Sequence, residues 1–355
     1  MPSAPRPAEP IAGVDVGGTK IQVVVTDRRF RVLAQSRGPT PATGGPEAVA
    51  AAIVPLITEA TGQVADGRLA AIGIGAPGSV DRLRGVVSRS PNLAGWIDPF
   101  PLGPALEKAT GAPVVVDNDV RIGTLGEHRL GAGRPYRDVL GVWFGTGVGG
   151  AVILGGELRR GRAGAAGEIG HVCVRIGGRR CGCGRRGCLE AYAGRASMER
   201  RARKLEARGR RTQLFAIMEK QGRRTLTSGV IARALDMGDQ VAQAMIEEAV
   251  VAAGSAIASV VNVLDVEAVV IGGGLGTRLG SRFVRRIAAA MQPHLFVDGR
   301  DSVAVLPAEL GDLAGALGAA TEAAELVSSG APSDSRSLST EGNRAPRGAA
   351  ARPRL

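Results

Sequence analysis

Hydrophobic and polar positions follow two rhythms along this chain, and the rhythms take turns. Residues 11–16 (IAGVDV) and 21–26 (IQVVVT) are apolar runs parted by Gly17-Gly18, which predicts strand, tight turn, strand. Residues 43–61 set Ala, Ile, Val and Leu at helical spacing. Residues 69–74 and 114–117 are short strand-type runs ending in polar or Gly-rich sequence, and 120–130 reads as a helix. Residues 139–144 and 151–154 flank a second glycine turn. Residues 162–195 are loop-rich and hold every cysteine, and 197–264 are mostly helical. A buried strand at 268–271 runs into Gly272-Gly273-Gly274; a helix (281–291), a strand (303–306) and a helix (313–326) follow. From residue 328 Ser, Gly, Pro and Arg dominate, so disorder is expected there and in the Pro/Ala-rich residues 1–10.

Alternating strands and helices predict an α/β architecture. The two similar glycine turns, near 17 and 147, suggest two related halves facing each other. The chain's 355 residues suffice for two domains and a tail. Aromatics are only 3% while glycines number 53, so the core must come from Val, Ile, Leu and Ala, with many tight turns.

The formal net charge of +12 raises nucleic-acid binding as a role. The excess is local. It sits in residues 199–224, where Phe215 is the one aromatic, and in the Arg-rich tail. Both read as solvated basic surface, and no nucleic-acid partner is expected. The N-terminus has no apolar core, so no signal peptide is expected. The uncharged run between Glu248 and Asp265 is shorter than the roughly 20 residues of a membrane span, and it contains Asn262. It reads as a buried helix. The expected setting is the cytoplasm, where thiols stay reduced.

The candidate chemistry lies in the glycine turns, one strand end and the cysteine loop. Asp15-Val16-Gly17-Gly18-Thr19-Lys20 lets backbone N–H groups approach a phosphate, with a hydroxyl from Thr19, a cation from Lys20 and a magnesium-holding carboxylate from Asp15. It lacks P-loop spacing, and a plain hairpin turn fits it equally. Residues 145–150 (GTGVGG) match a dinucleotide fingerprint in form. A strand follows instead of a helix, so a phosphate hairpin through Gly145, Thr146 and Gly147 is the better reading. Gly273 and Gly274 offer bare backbone to a flat adenine or ribose, or are simply a strand-to-helix turn. Asn118-Asp119 ends a strand, where α/β sheets usually bind ligands. There a carboxylate can take a hydroxyl proton, or cap a helix.

The most specific local pattern is His171 with Cys181, Cys183 and Cys188, one imidazole and three thiols within 18 residues. This set matches a closed Cys₃His zinc site, structural because no ligand position stays open. Cys173 is a rival ligand, though a small buried thiol suits it better. Glu168 and Glu190 flank the loop. With His171 they suit hydrogen bonding to sugar hydroxyls, though both also fit a solvated surface.

Eight motifs in order, DVGGTK (15–20), GAPG (75–78), SPNLAGW (90–96), DND (117–119), FGTGVGG (144–150), GEIGH (167–171), CGCGRRGCLE (181–190) and IGGGLG (271–276), resemble the ROK family of sugar kinases and repressors, within the actin-like ATPase superfamily. The resemblance spans about residues 11–326. It implies two actin-like ATPase (ribonuclease-H-like) domains with a cleft between them. The small one would cover 11–120, completed by the helix 312–327. The large one would cover 121–311 with the zinc loop 171–190, and 328–355 would be a disordered basic tail. Asp119 matches the family's catalytic base, acting on the sugar 6-hydroxyl. Gly78, Asn92, Asn118, Asp119, Glu168, His171 and Glu190 match sugar-binding positions, with His171 binding zinc through one ring nitrogen and sugar through the other. Asp15, Gly17, Gly18, Thr19, Lys20, Gly145, Thr146, Gly147, Gly273 and Gly274 would hold ATP and Mg²⁺. A homodimer or homotetramer is implied. Family repressors carry an N-terminal helix-turn-helix for which ten residues leave no room, so an enzyme is expected. The sugar follows the glucokinase branch, with fructose, mannose, N-acetylglucosamine and N-acetylmannosamine kinases as alternatives and a sugar-sensing regulator behind them.

Overall fold

The computed structural model describes residues 9–64, 68–90, 92–297 and 303–328. The disorder expected at the two ends falls almost wholly outside them, as does Pro91 of the SPNLAGW stretch. The chain starts as a meander of β1 (Ile11–Val16), β2 (Lys20–Thr26) and β3 (Val32–Pro39). Then come α1 (Gly45–Thr61), β4 (Ala71–Ala76), a small hairpin of β5 (Ser79–Asp81) and β6 (Val86–Ser88), α2 (Leu102–Thr110), β7 (Val114–Asn118) and α3 (Asp119–Leu130). The second half repeats the plan with β8 (Val139–Phe144), β9 (Val148–Leu154) and β10 (Glu157–Arg159), and then inserts α4 (Glu190–Ala193), α5 (Arg195–Glu206), α6 (Leu214–Lys220) and α7 (Ser228–Asp236). It closes with α8 (Gln240–Leu264), β11 (Ala268–Gly272), α9 (Gly273–Met291), β12 (Ala304–Pro307) and α10 (Ala314–Ser328).

The two halves have one topology. The first sheet runs β3-β2-β1-β4-β7 and the second β10-β9-β8-β11-β12. In each, three strands form an antiparallel meander and two more join in parallel beside the first strand. The parallel strands of each sheet send their C-terminal ends to one edge, where the glycine turns also sit. The fold is thus α/β with mixed sheets, as expected. Each half buries its own apolar core, one around Ile53, Ile72 and Ile74, the other around Leu140, Phe144 and Ile257.

The long uncharged run lies in α8, with most of its apolar window buried. Asp239 caps that helix, accepting from the Ala242 N–H at 2.9 Å, so it begins at a defined point. By length and composition α8 alone among the described helices is long and apolar enough to cross a membrane; its packing against α9 and α4 makes it a core helix.

Helix α10 (AGALGAATEAAELVS) is Ala/Gly-rich for a packing reason. A Cβ on Gly13 would meet the Ala316 carbonyl oxygen at 1.9 Å, and one on Gly73 the Ala319 oxygen at 1.8 Å. The helix therefore lies backbone to backbone on β1 and β4. Against α3 the same holds: a Cβ on Gly318 would sit 1.9 Å from the Ile122 oxygen. Through these contacts the last helix joins the first sheet.

Candidate active site

Strand register sets the first row of the site. Asp15 pairs with Gly75 and Gly75 with Asp117, so the ends of β1, β4 and β7 reach one edge together. Just past that edge lies Asn118. It caps α3, its Oδ1 accepting from the Val120 and Arg121 N–H groups at 3.0 and 3.3 Å. Its Nδ2 donates to the Gly78 carbonyl at 3.3 Å. The cap reading thus holds for Asn118, and both ends of its amide have protein partners. Asp119 opens the helix, with one oxygen accepting from the Val120 N–H at 2.9 Å.

Asp119 is pushed up to about 6, by burial first and with a contribution from the Glu168 charge. Asp15 rises to about 7, by burial and then by the Asp119 charge, while Lys20 opposes the rise. The two half-buried carboxylates and exposed Glu168 therefore share one electrostatic site. Paired, shifted carboxyls at strand ends suit a proton acceptor and a cation holder. A Cβ on Gly315 would lie 2.5 Å from the Asp15 carboxyl carbon, so the start of α10 walls that side.

Both glycine turns are antiparallel hairpins, and their glycines serve close approach. A Cβ on Gly18 would meet the Asn92 carbonyl oxygen at 2.9 Å. One on Gly147 would meet Glu190 Oε2 at 2.2 Å. The first turn is closed by the Gly17 N–H donating to the Lys20 carbonyl at 2.9 Å. Thr40 braces it, its hydroxyl donating to the Gly17 carbonyl at 2.6 Å. Thr19 is exposed, and Lys20 pairs with Asp312 at 2.7 Å. In the second turn the Gly145 N–H donates to the Gly147 carbonyl at 2.9 Å. The run at Gly273 and Gly274 opens a first helical stretch of α9, and non-helical Gly280 (φ 62°, ψ −159°) separates it from the helix expected over 281–291. Gly273 takes φ 79°, and a Cβ there would strike the Phe144 backbone.

The metal quartet converges. One ligand atom each from His171, Cys181, Cys183 and Cys188 lies within 4.8 Å of all the others. Cys183 and Cys188 sulfurs are 3.8 Å apart, and Cys181 Sγ is 3.9 Å from His171 Nδ1. Tetrahedral zinc with sulfur at 2.3 Å sets sulfur pairs roughly 3.8 Å apart, so the donors fit that ion. A disulfide would need about 2.05 Å. Cys173 corrects the expectation of a buried thiol. It is exposed and outside the quartet, because residues around His171 form a 3₁₀ turn where a strand would have set the two on one side.

Glu190 joins the loop to the second hairpin. Its Oε1 accepts from the Cys181 thiol at 3.4 Å and its Oε2 from the Val148 N–H at 3.1 Å. Glu168, just before the 3₁₀ turn, is near enough for its charge to act on Asp119. The segment leading to it is tied down by an ion network that sequence reasoning missed. Arg160 donates from Nε to buried Asp117 at 2.6 Å and from Nη2 to buried Glu322 at 2.7 Å. Arg121 pairs with Asp117 at 2.9 Å and also holds the Gly164 carbonyl. Asp117 stands two residues before Asp119, so the strand end with Asn118 and Asp119 is anchored to the loop that carries Glu168.

The ROK family profile matches residues 11–325. The chain belongs to the ROK family. Among ROK relatives, a Streptomyces coelicolor glucokinase is 36% identical over 315 residues, which cover 88% of this chain and 97% of that protein. The crystal structure of a ROK hexokinase from Thermus thermophilus gives a TM-score of 0.74 at 35% identity, covering 90% of this chain and 99% of the other. A ROK family glucokinase from Streptomyces griseus, solved with glucose and AMPPNP, gives 0.74 at 34% identity over 89% and 99%. The mixed sheets of this chain are those of ROK sugar kinases.

Proposed function

We propose that this chain transfers the γ-phosphoryl group of ATP to the 6-hydroxyl of glucose. What carries the reading is the edge where Asp119, raised to about 6, lies beside two close-approach glycine hairpins. Relatives named glucokinases, and a similar structure holding glucose with an ATP analogue, support the sugar and the donor.

Asp119 acts as general base. Being pushed up to about 6, it stays ionised at neutral pH yet accepts a proton more readily than an ordinary aspartate. It orients the hydroxyl and takes its proton as the new O–P bond forms and the bond to ADP breaks. Backbone N–H groups of the hairpins at 17–20 and 145–147 steady the phosphate oxygens, and residues 273–274 face the adenosine. Asn92, Asn118 with Gly78, Glu168, His171 and Glu190 shape the sugar pocket. The Glu190 oxygens already brace the second hairpin and the metal loop, so its share in sugar binding is partly through position. Asp15 would hold Mg²⁺, directly or through water, and that ion would neutralise phosphate charge. Zinc bound by His171, Cys181, Cys183 and Cys188 would be structural, fixing the loop and leaving the other nitrogen of His171 to the sugar.

The halves 11–120 and 121–311 act as two domains about a cleft, with residues 312–327 completing the first, and closure excludes water. The working form is a homodimer or homotetramer in the cytoplasm. The deciding assay is ATP consumption with Mg²⁺ across glucose, fructose, mannose and the two N-acetylhexosamines. Turnover led by glucose is expected. Preference for another sugar moves the specificity, and turnover with none overturns the reading.

A further inference from the structure

Arg195 is a half-buried cation without an anion beside it. It opens α5 at the turn that packs on the second hairpin, its N–H donating to the Gly145 carbonyl at 3.2 Å. A Cβ on the preceding Gly194 would lie 3.2 Å from Gly147 Cα. Its side chain meets two hydroxyls only. Nη2 donates to Thr146 Oγ1 and Nη1 to Ser228 Oγ, both at 3.2 Å. Nε is buried and has no partner. No Asp or Glu among the described residues forms an ion pair with it, whereas Arg160 has two such partners.

A cation drawn out of water is costly unless an anion offsets it. Here no carboxylate does. A guanidinium carries five N–H groups in a planar fork that matches phosphate. Two are spent on the hydroxyls. Thr146 is exposed, so the Nη2 end lies at the open face of the hairpin while the unpartnered Nε is buried. At the other end, Ser228 Oγ would be 3.4 Å from a Cβ on Gly274, in the run assigned to adenosine. The guanidinium thus spans the gap between the phosphate turn and the adenosine run.

We propose that Arg195 binds the phosphate chain of the nucleotide, supplying the positive charge that the second hairpin's neutral N–H groups lack. This rests on the ATP reading above. Thr146 and Ser228 hold the fork in plane, and the nucleotide supplies the missing anion.

The test compares Arg195→Met and Arg195→Lys with the wild type by calorimetric titration of Mg-AMPPNP, inorganic tripolyphosphate and adenosine. The Met variant should bind Mg-AMPPNP and tripolyphosphate about tenfold or more weakly, the scale of one charge-assisted hydrogen bond, with adenosine within twofold. In turnover, KM for ATP should rise while KM for the sugar stays within twofold. Lys should recover part of the loss, since it keeps the charge and loses the fork. If the Met variant fails to fold, Lys carries the same comparison. Equal weakening of adenosine and tripolyphosphate would mean that Arg195 only braces the hairpin, overturning the proposal. So would unchanged nucleotide binding. Wild-type protein that binds no adenine nucleotide overturns the ATP reading and this proposal together; wild-type binding that both variants match overturns this proposal alone.

Discussion

Asp15→Asn should stabilise the ligand-free protein in mild alkali while removing its activity. Burial and the Asp119 charge move the Asp15 carboxyl from 3.8 to about 7. At 1.36 kcal/mol per pH unit, that is a preference for the neutral form of roughly 4 kcal/mol. Solvent reaching the half-buried group screens the effect, so about 2 kcal/mol is expected to be felt. The sign follows from linkage. The folded state holds its proton more tightly than the unfolded chain, so the contribution is full below 3.8 and is lost as pH rises through about 7. Asparagine stays neutral throughout. Its advantage over aspartate should be near zero at pH 3, below the unfolded value of 3.8, and about 2 kcal/mol at pH 8.5, several degrees in Tm for a chain of this size. Scanning calorimetry of both proteins at the two pH values, with EDTA present, reads the difference. An equal gain at both pH values, or none at pH 8.5, refutes the assignment of a strained carboxylate. Loss of turnover in the same variant would show that the strain is retained for cation binding.

Three further substitutions probe other parts of the site. Asp119→Asn should cut turnover by about 10²–10⁴ while glucose binding stays measurable by calorimetry, and the wild-type kcat/KM should fall as pH drops through about 6; near-normal turnover removes the base role. Cys183→Ser should lose zinc by elemental analysis and raise KM for the sugar, and wild-type protein purified without zinc would defeat the metal-loop reading. Arg160→Met leaves Asp117 and Glu322 buried with one cation fewer, which should cost about 3 kcal/mol by urea unfolding and loosen amide exchange at 161–168. Unchanged exchange there would detach the network from the loop.

Much of the site was legible because its parts are local. Each glycine hairpin, the strand end at Asn118-Asp119 and the His-Cys₃ set occupies a short stretch, and the structure brings each to the sheet edges or the loop as expected. Three kinds of feature were not. The edge strands β3 and β10 are half exposed, so they lack the apolar run that marked β1 and β8. The Arg160 network joins residues 43 and 162 positions apart, and no spacing rule reaches that far. Arg195 ends the loop-rich stretch and lies outside every motif, and its lack of a carboxylate partner shows only when the fold is known. Cys173 departs from the buried thiol that its residue type suggests, because the cysteine loop leaves it on the surface, outside the quartet.

The contact of α10 with its neighbours has a consequence for inheritance. At Gly13, Gly73 and Gly318 a single added carbon would fall within 2 Å of a main-chain oxygen, which no rotamer change can relieve. These positions have no chemistry to perform, yet they admit no side chain. A saturation-mutagenesis map of this chain should therefore show intolerance at such glycines comparable to that at Asp119. A reader of that map who equated sensitivity with catalysis would place a second active site where α10 meets β1, β4 and α3, though there is only a seam too narrow for a methyl group.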